Sequence, residues 1–135
     1  MMSVNGIILQ LPLPQHLDAS KLSSLVRSDK DVDGFSSANM GELCLNQPHF
    51  IPCTPSGILD ILDSYDYNVE GKNVVILGRS NIVGKPLTLE LINRGATVTV
   101  CNSKTEKTQL RSLCLFADVV VVATGCPNTI NFHDI

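Results

Sequence analysis

A loop suited to holding a phosphate follows a continuous apolar run in the second half of the chain. Residues 73–78 read NVVILG, and residues 78–86 continue as GRSNIVGKP before a helical pattern begins. Glycine at the end of a strand permits a tight turn, and small side chains let a phosphate approach the backbone. The helix N-terminus that follows adds free N–H groups and a positive dipole. The loop therefore predicts nucleotide binding, with a purely structural strand–helix turn as the alternative.

Two better-known phosphate loops do not fit this segment. A Walker A loop has four residues between Gly and Gly-Lys, followed by Ser or Thr. Here five residues separate Gly78 from Gly84, and Pro86 follows Lys85. The pattern G-x-G-x-x-G also fails, because Ser80 occupies the second glycine position and the last glycine comes one residue late.

The end of the second predicted strand favours NADP over NAD. An NAD site usually places an acid there to bind the ribose 2′-hydroxyl. Residues 101–105 instead read CNSKT, with hydroxyls and a lysine but no acid. Arg79 in the first turn can face the same place, and its guanidinium suits a bidentate contact with a phosphate. A solvated polar loop is the alternative interpretation.

Composition and charge argue against several kinds of partner. The net charge of −3 provides no strongly basic face for nucleic acid or an anionic membrane. No apolar run approaches the roughly 20 residues needed to span a bilayer. The odd number of cysteines fits free thiols in a reducing cytosol. We therefore expect a cytoplasmic protein that binds neither nucleic acid nor membrane.

No metal site is predicted. Residues 29–34, DKDVDG, imitate the start of an EF-hand loop, but Met40 stands where the twelfth position needs a bidentate Glu. The cysteines form no C-x-x-C pair, and the three histidines share no ligand spacing. A solvated acidic loop is the simpler interpretation of this segment.

The elements that must position these residues alternate between strand and helix. In the first half we predict a strand at 6–11, a helix capped by Asp18, a loop at 29–39 and a helix at 54–65. In the second half, strands at 73–78, 96–101 and 118–123 alternate with helices, of which the first is closed by Gly95 and the second spans 109–116.

This order predicts an α/β fold with a doubly wound, Rossmann-like parallel sheet. A soft boundary near 67–72 divides the chain into residues 1–66 and 67–135. Both ends interrupt the pattern, so we expect the chain to be cut from something larger.

Four segments together resemble one family, the bifunctional methylenetetrahydrofolate dehydrogenase/methenyltetrahydrofolate cyclohydrolases. The segments are 10–14 (QLPLP), 30–35 (KDVDGF), 52–57 (PCTP followed by Gly57) and 78–86. Their order and spacing resemble the family over nearly the whole chain, which is far more specific than any single block.

The resemblance implies part of an α/β folate-binding domain in residues 1–66 and part of an NADP-binding domain in 67–135. One implied reaction is NADP-dependent oxidation of 5,10-methylenetetrahydrofolate to 5,10-methenyltetrahydrofolate by hydride transfer. The other is hydrolysis of the methenyl group to 10-formyltetrahydrofolate in the same cleft. Tetrahydrofolate derivatives are thus the implied substrates, NADP the cofactor, and a homodimer the full-length form.

Roles for individual residues follow from the same resemblance. Gln10 would orient a catalytic lysine, and Asp33 would hydrogen-bond the pterin ring. Gly78, Arg79 and Ser80 would hold phosphate, and Ser103 would reach the 2′-phosphate. Thr124 and Gly125 would border the cofactor from the third strand.

Two features of the family have no counterpart in these 135 residues. One is the helix with Tyr-x-x-x-Lys that carries the catalytic lysine, and the other is a late Pro-Gly-Gly-Val-Gly-Pro loop. We therefore expect the chain by itself to be inactive. A non-catalytic dinucleotide-binding module and a degenerate paralogue are the alternatives.

Overall fold

A computed structural model describes residues 4–131 of the chain. The helices and strands in chain order are α1 (Ala19–Leu25), α2 (Ser37–Cys44), α3 (Cys53–Ser64), β1 (Asn73–Leu77), α4 (Gly84–Asn93), β2 (Thr97–Cys101), α5 (Lys107–Leu115) and β3 (Val119–Val122). Within this described part, no helix is long and apolar enough to cross a membrane.

The chain folds as two compact units, residues 1–53 and 54–135. This division lies earlier than the predicted one, which placed α3 in the first unit. The division lies before α3 because α3 packs in the hydrophobic core of the second unit. Its Leu59 is only 1% exposed and belongs to one buried cluster with Val74 and Ile76 of β1 and Leu87 of α4.

The second unit confirms the predicted doubly wound α/β arrangement. Its sheet is parallel, in the order β2-β1-β3, and Ile76 pairs with Val100 on one side and Val121 on the other. β1 is buried on both faces, which explains its continuous apolar run. Val74 and Ile76 face the cluster that includes α3 and α4, whereas Val75 and Leu77 face Cys114 of α5.

The predicted strand at 6–11 is wrong. Ile7 forms a single parallel bridge with Asp31, and its N–H donates to the carbonyl of Lys30 at 2.7 Å. A strand needs a ladder of such bonds with a neighbour, and the described residues of this unit supply only one rung. Ile8, at 61% exposure, is correspondingly not a core residue. The predicted cap is confirmed, because the Asp18 carboxylate accepts the N–H of Lys21 at 3.0 Å.

The loop predicted at 29–39 is interrupted by a 3-10 turn at Ser28–Lys30 and by the start of α2. Ser36 caps α2 by accepting the N–H of Asn39 at 3.3 Å. Asn39 is fully buried, and its side chain bonds the carbonyl of Gly34 and both the N–H and the carbonyl of Phe50. Apolar periodicity does not predict this helix, because one of its two buried residues, Asn39, is polar.

Candidate functional site

A cleft of about 470 Å³ opens at the carboxyl ends of all three strands in the second unit. The chain leaves β1 towards β2 on one side and returns to β3 on the other. Ligands of open parallel sheets bind at such a switch point. Five residues predicted for the cofactor line this cleft, and they are Gly78, Arg79, Ser80, Ser103 and Thr124.

The loop between β1 and α4 is closely packed at both of its glycines. Gly78 has φ +124°, and a Cβ there would overlap the carbonyl oxygen of Ala123. A Cβ on Gly84 would overlap the carbonyl group of Gly78. The start of α4 therefore rests directly on the end of β1, and only glycine permits this approach.

Ser80 orders this loop from inside. Its Oγ accepts the N–H groups of Val83 at 3.1 Å and Gly84 at 3.4 Å, and its carbonyl accepts the N–H of Lys85 at 3.0 Å. By contrast, the N–H groups of residues 79–82 donate to no acceptor within 4–131. Of these residues Arg79 and Ser80 line the cleft, just before the N-terminus of α4, and unpaired N–H groups at such a position can bind an anion.

Arg79 gives the cleft its charge. It is exposed and forms no ion pair with any described residue. Of the side chains in 4–131 that line the cleft, no other carries a full charge. Burial raises the pKa of the Cys101 thiol, with a smaller opposite effect from its hydrogen bond to Thr105, so this thiol stays neutral. The electrostatics of the cleft therefore favour an anionic ligand.

A tight turn follows β2. The N–H of Thr105 donates to the carbonyl of Asn102 at 2.9 Å, and the N–H of Lys104 donates to the Asn102 Oδ1 at 2.9 Å. Ser103 lies at the corner of this turn, exposed at the cleft. Sequence reasoning missed Asn102 and Thr105, because only the folded turn reveals what their side chains hold.

The third wall of the cleft follows β3. The hydroxyl of Thr124 accepts the N–H of Cys126 at 3.2 Å and lies 2.8 Å from the hydroxyl of Thr129. Cys126 and Thr129 line the cleft although the sequence did not single them out. Gly125 has φ +69° within this loop but is not among the residues that line the cleft.

The first unit holds the two residues predicted to act on the substrate. Gln10 is exposed, and its Nε2 donates to the carbonyl of Leu11 at 3.2 Å. Asp33 is half-buried, and its carboxylate accepts no hydrogen bond from the described residues. Burial, and then the neighbouring Asp31 carboxylate, raises the pKa of Asp33. Asp31 is itself committed to the N–H groups of Gly34 at 3.1 Å and Ser36 at 2.6 Å.

We expect Asp33→Asn to raise the thermal midpoint at neutral pH. A raised pKa means that the folded protein binds this proton more tightly than the unfolded chain, so ionisation of Asp33 costs stability. The advantage of the uncharged variant should vanish as the pH falls below the unfolded value of about 3.9. Thermal unfolding of the variant and the parent chain, followed by circular dichroism from neutral pH to below this value, measures the difference in midpoint.

Asp29→Asn is the matched control, because the Arg27 guanidinium holds the pKa of Asp29 below its usual value. Removing that charge should leave the neutral-pH midpoint unchanged or lower. A lower midpoint for Asp33→Asn than for the parent chain at neutral pH would contradict the argument.

Metal ligands do not cluster in the described segment, where no group of three or more His, Cys, Asp or Glu side chains could hold an ion.

Comparisons with known proteins converge on one family. Residues 52–135 match the family described as "Tetrahydrofolate dehydrogenase/cyclohydrolase, NAD(P)-binding domain". The "Bifunctional protein FolD" of Clostridium novyi is 51% identical over 127 residues, which are 94% of this chain and 45% of that protein.

Solved structures agree. The bifunctional FolD methylenetetrahydrofolate dehydrogenase/cyclohydrolase of Campylobacter jejuni superposes with a TM-score of 0.92 at 43% identity, over 97% of this chain and 46% of that one. The Trypanosoma brucei methylenetetrahydrofolate dehydrogenase-cyclohydrolase, complexed with NADP and an inhibitor, gives 0.87 at 36% identity, over 92% and 42%. The chain spans about half the length of the relatives it matches.

Proposed function

The chain belongs to the tetrahydrofolate dehydrogenase/cyclohydrolase family, and on that premise we propose that its second unit binds NADP. We propose further that the whole protein oxidises 5,10-methylenetetrahydrofolate with NADP and hydrolyses the resulting methenyl group. The observation that carries the proposal is a cleft at the switch point of the sheet. It is lined by the charged Arg79 and by Ser103 on the turn after β2.

The residues present fit a phosphorylated dinucleotide. The N–H groups of Arg79 and Ser80, which line the cleft, have no acceptor within 4–131 and suit a pyrophosphate. The cationic Arg79 with the hydroxyl of Ser103 suits a 2′-phosphate. Among the described residues, no carboxylate lines the cleft to repel that phosphate. NADP, when bound, supplies the hydride acceptor.

The first unit would hold the folate substrate. The Asp33 carboxylate has no hydrogen-bonding partner among the described residues, so both of its oxygens are open to N–H donors of a pterin ring. The exposed side-chain amide of Gln10 can orient a lysine, as in the family, but cannot itself exchange a proton at neutral pH. Residues 1–66 and 67–135 remain our proposal for parts of the folate-binding and NADP-binding domains, with α3 packed in the core of the second unit.

Cytoplasmic location and a homodimeric full-length form belong to the same proposal. In its support, all five cysteines are free thiols, as expected in a reducing compartment.

A dinucleotide-binding module without turnover is the second candidate. It is favoured by one observation, that every residue lining the cleft lies within the second unit. Such a module would bind NADP as well as the enzyme does.

An exchange of segments separates the two candidates. Residues 1–135 replace the matching segment of the Campylobacter jejuni enzyme, and both folate reactions are followed through the absorbance of the methenyl product. We expect the chimera to catalyse both. Asp33→Ala in the chimera should lower kcat/KM roughly ten- to hundredfold, as expected for a lost hydrogen bond to a charged group. Its affinity for NADP should not change.

The control is Asp29→Ala, which removes a carboxylate paired only with the exposed Arg27. It should leave both activities at the level of the chimera. A chimera that folds and binds NADP but turns over neither substrate would favour the binding module instead.

A further inference from the structure

The turn after β2 is held by the side chain of Thr105. Its Oγ accepts the N–H of Asn102 at 3.0 Å, while its own N–H donates to the Asn102 carbonyl at 2.9 Å. Thr105 thereby links the two ends of the turn, which follows directly on Cys101, the buried last residue of β2.

The corner residue depends on this fastening. Ser103 is exposed and its hydroxyl has no partner in the described structure, so nothing but the turn fixes where that hydroxyl lies. The Asn102 Oδ1 accepts the N–H of Lys104, which leaves the Thr105 Oγ as the acceptor of the Asn102 N–H. A hydrogen bond to phosphate weakens steeply outside a narrow range of distance and angle. A more mobile turn would therefore weaken the contact of the Ser103 hydroxyl with a phosphate.

The fastening is not needed to start the next helix. α5 begins at Lys107 with Glu106 as its N-cap, one residue beyond the turn. Thr105 lines the cleft and is only partly exposed, and its Oγ is hydrogen-bonded within the turn.

We propose that Thr105 is a positioning residue that sets the preference for NADP over NAD, by holding Ser103 where its hydroxyl meets the 2′-phosphate. The inference rests on the proposed NADP site. The Thr105 Oγ is engaged with the N–H of Asn102 inside the turn, so in this proposal its effect passes through Ser103.

The test is a double-mutant cycle on the 135-residue chain, with the ratio of NAD to NADP dissociation constants as its readout. Thr105→Val keeps the shape and removes the hydroxyl, and it should lower this ratio by about five- to tenfold, a part of a charge-assisted hydrogen bond. Affinity for NAD should not change. Thr105→Ser should restore the ratio, and in a Ser103→Ala background Thr105→Val should lower it no further.

Thr108→Val is the matched control, because Thr108 is exposed on α5 and does not line the cleft. A Thr105→Val variant that keeps the parent ratio, or that weakens NAD and NADP equally, overturns the inference while leaving the NADP site intact. If the parent chain shows no preference for NADP, the proposed NADP site itself is contradicted, and the inference about Thr105 fails with it. If Thr105→Val does not fold, Thr105→Ala gives the same comparison, because each ratio is measured within one variant.

Discussion

Gly84→Ala is expected to destabilise the second unit and to abolish most of its dinucleotide binding. The added Cβ would overlap the carbonyl oxygen of Gly78, and it would lie 2.7 Å from the carbonyl carbon of that residue and 2.9 Å from Cα of Arg79. These neighbours are backbone atoms, which cannot rotate away as a side chain could. Overpacking of this kind costs about 1–3 kcal/mol, which exceeds the gain of up to roughly 1 kcal/mol that alanine brings to a helix.

Binding should suffer more than stability, because the residues that must move to admit the methyl group are those of the proposed phosphate loop. Thermal unfolding and calorimetric titration with NADP measure the two effects. Gly57→Ala is the matched control. Gly57 lies in α3 with nothing within 4 Å of its Cβ position, so alanine there should leave stability unchanged or raise it by about 0.5–1 kcal/mol. Equal midpoints for the two variants would show that the close packing at Gly84 is not required.

Arg79→Ala is expected to weaken NADP binding roughly tenfold or more and to leave NAD binding nearly unchanged. Loss of a hydrogen bond to a charged group costs about 1.5–3 kcal/mol, and NAD has no 2′-phosphate to lose. Because Arg79 is exposed and makes no ion pair with the described residues, its removal should not cost folding stability. Calorimetric titration of the variant with both dinucleotides measures the difference.

Arg111→Ala removes the same charge from the exposed surface of α5, outside the cleft, and should leave both affinities unchanged. The effect at Arg79 should also shrink at high ionic strength, since salt screens exposed charges. A parallel loss of NADP and NAD affinity in Arg79→Ala would place the guanidinium on a phosphate that both cofactors share.

The second unit could be predicted from sequence because its signals are local. Residues 74–77 are apolar without interruption, which indicates a strand covered on both faces, and Gly78 marks its end. Once this strand is located, the loop and helix that follow it are located too, and the cleft is expected at the carboxyl end of the strand. Five of the six predicted cofactor residues line one cleft for this reason.

The first unit was harder to predict from sequence, because its structure depends on polar contacts between residues distant in the chain. Residues 6–11 have the composition of a strand, yet only Ile7 finds a ladder partner within the described range. α2 is fixed by Asn39, whose amide bridges to Phe50 eleven positions away, and no periodicity announces such a bond. For the same reason the part played by Thr105 emerges only once the turn is folded.

The most direct test of the NADP site is a calorimetric titration of the unaltered 135-residue chain with NADP and with NAD under identical salt and pH. The cleft predicts that NADP binds at least about tenfold more tightly, the equivalent of one charge-assisted phosphate contact. Equal affinities for the two dinucleotides, or no binding of either, would contradict the assignment of Arg79 and Ser103 to the 2′-phosphate.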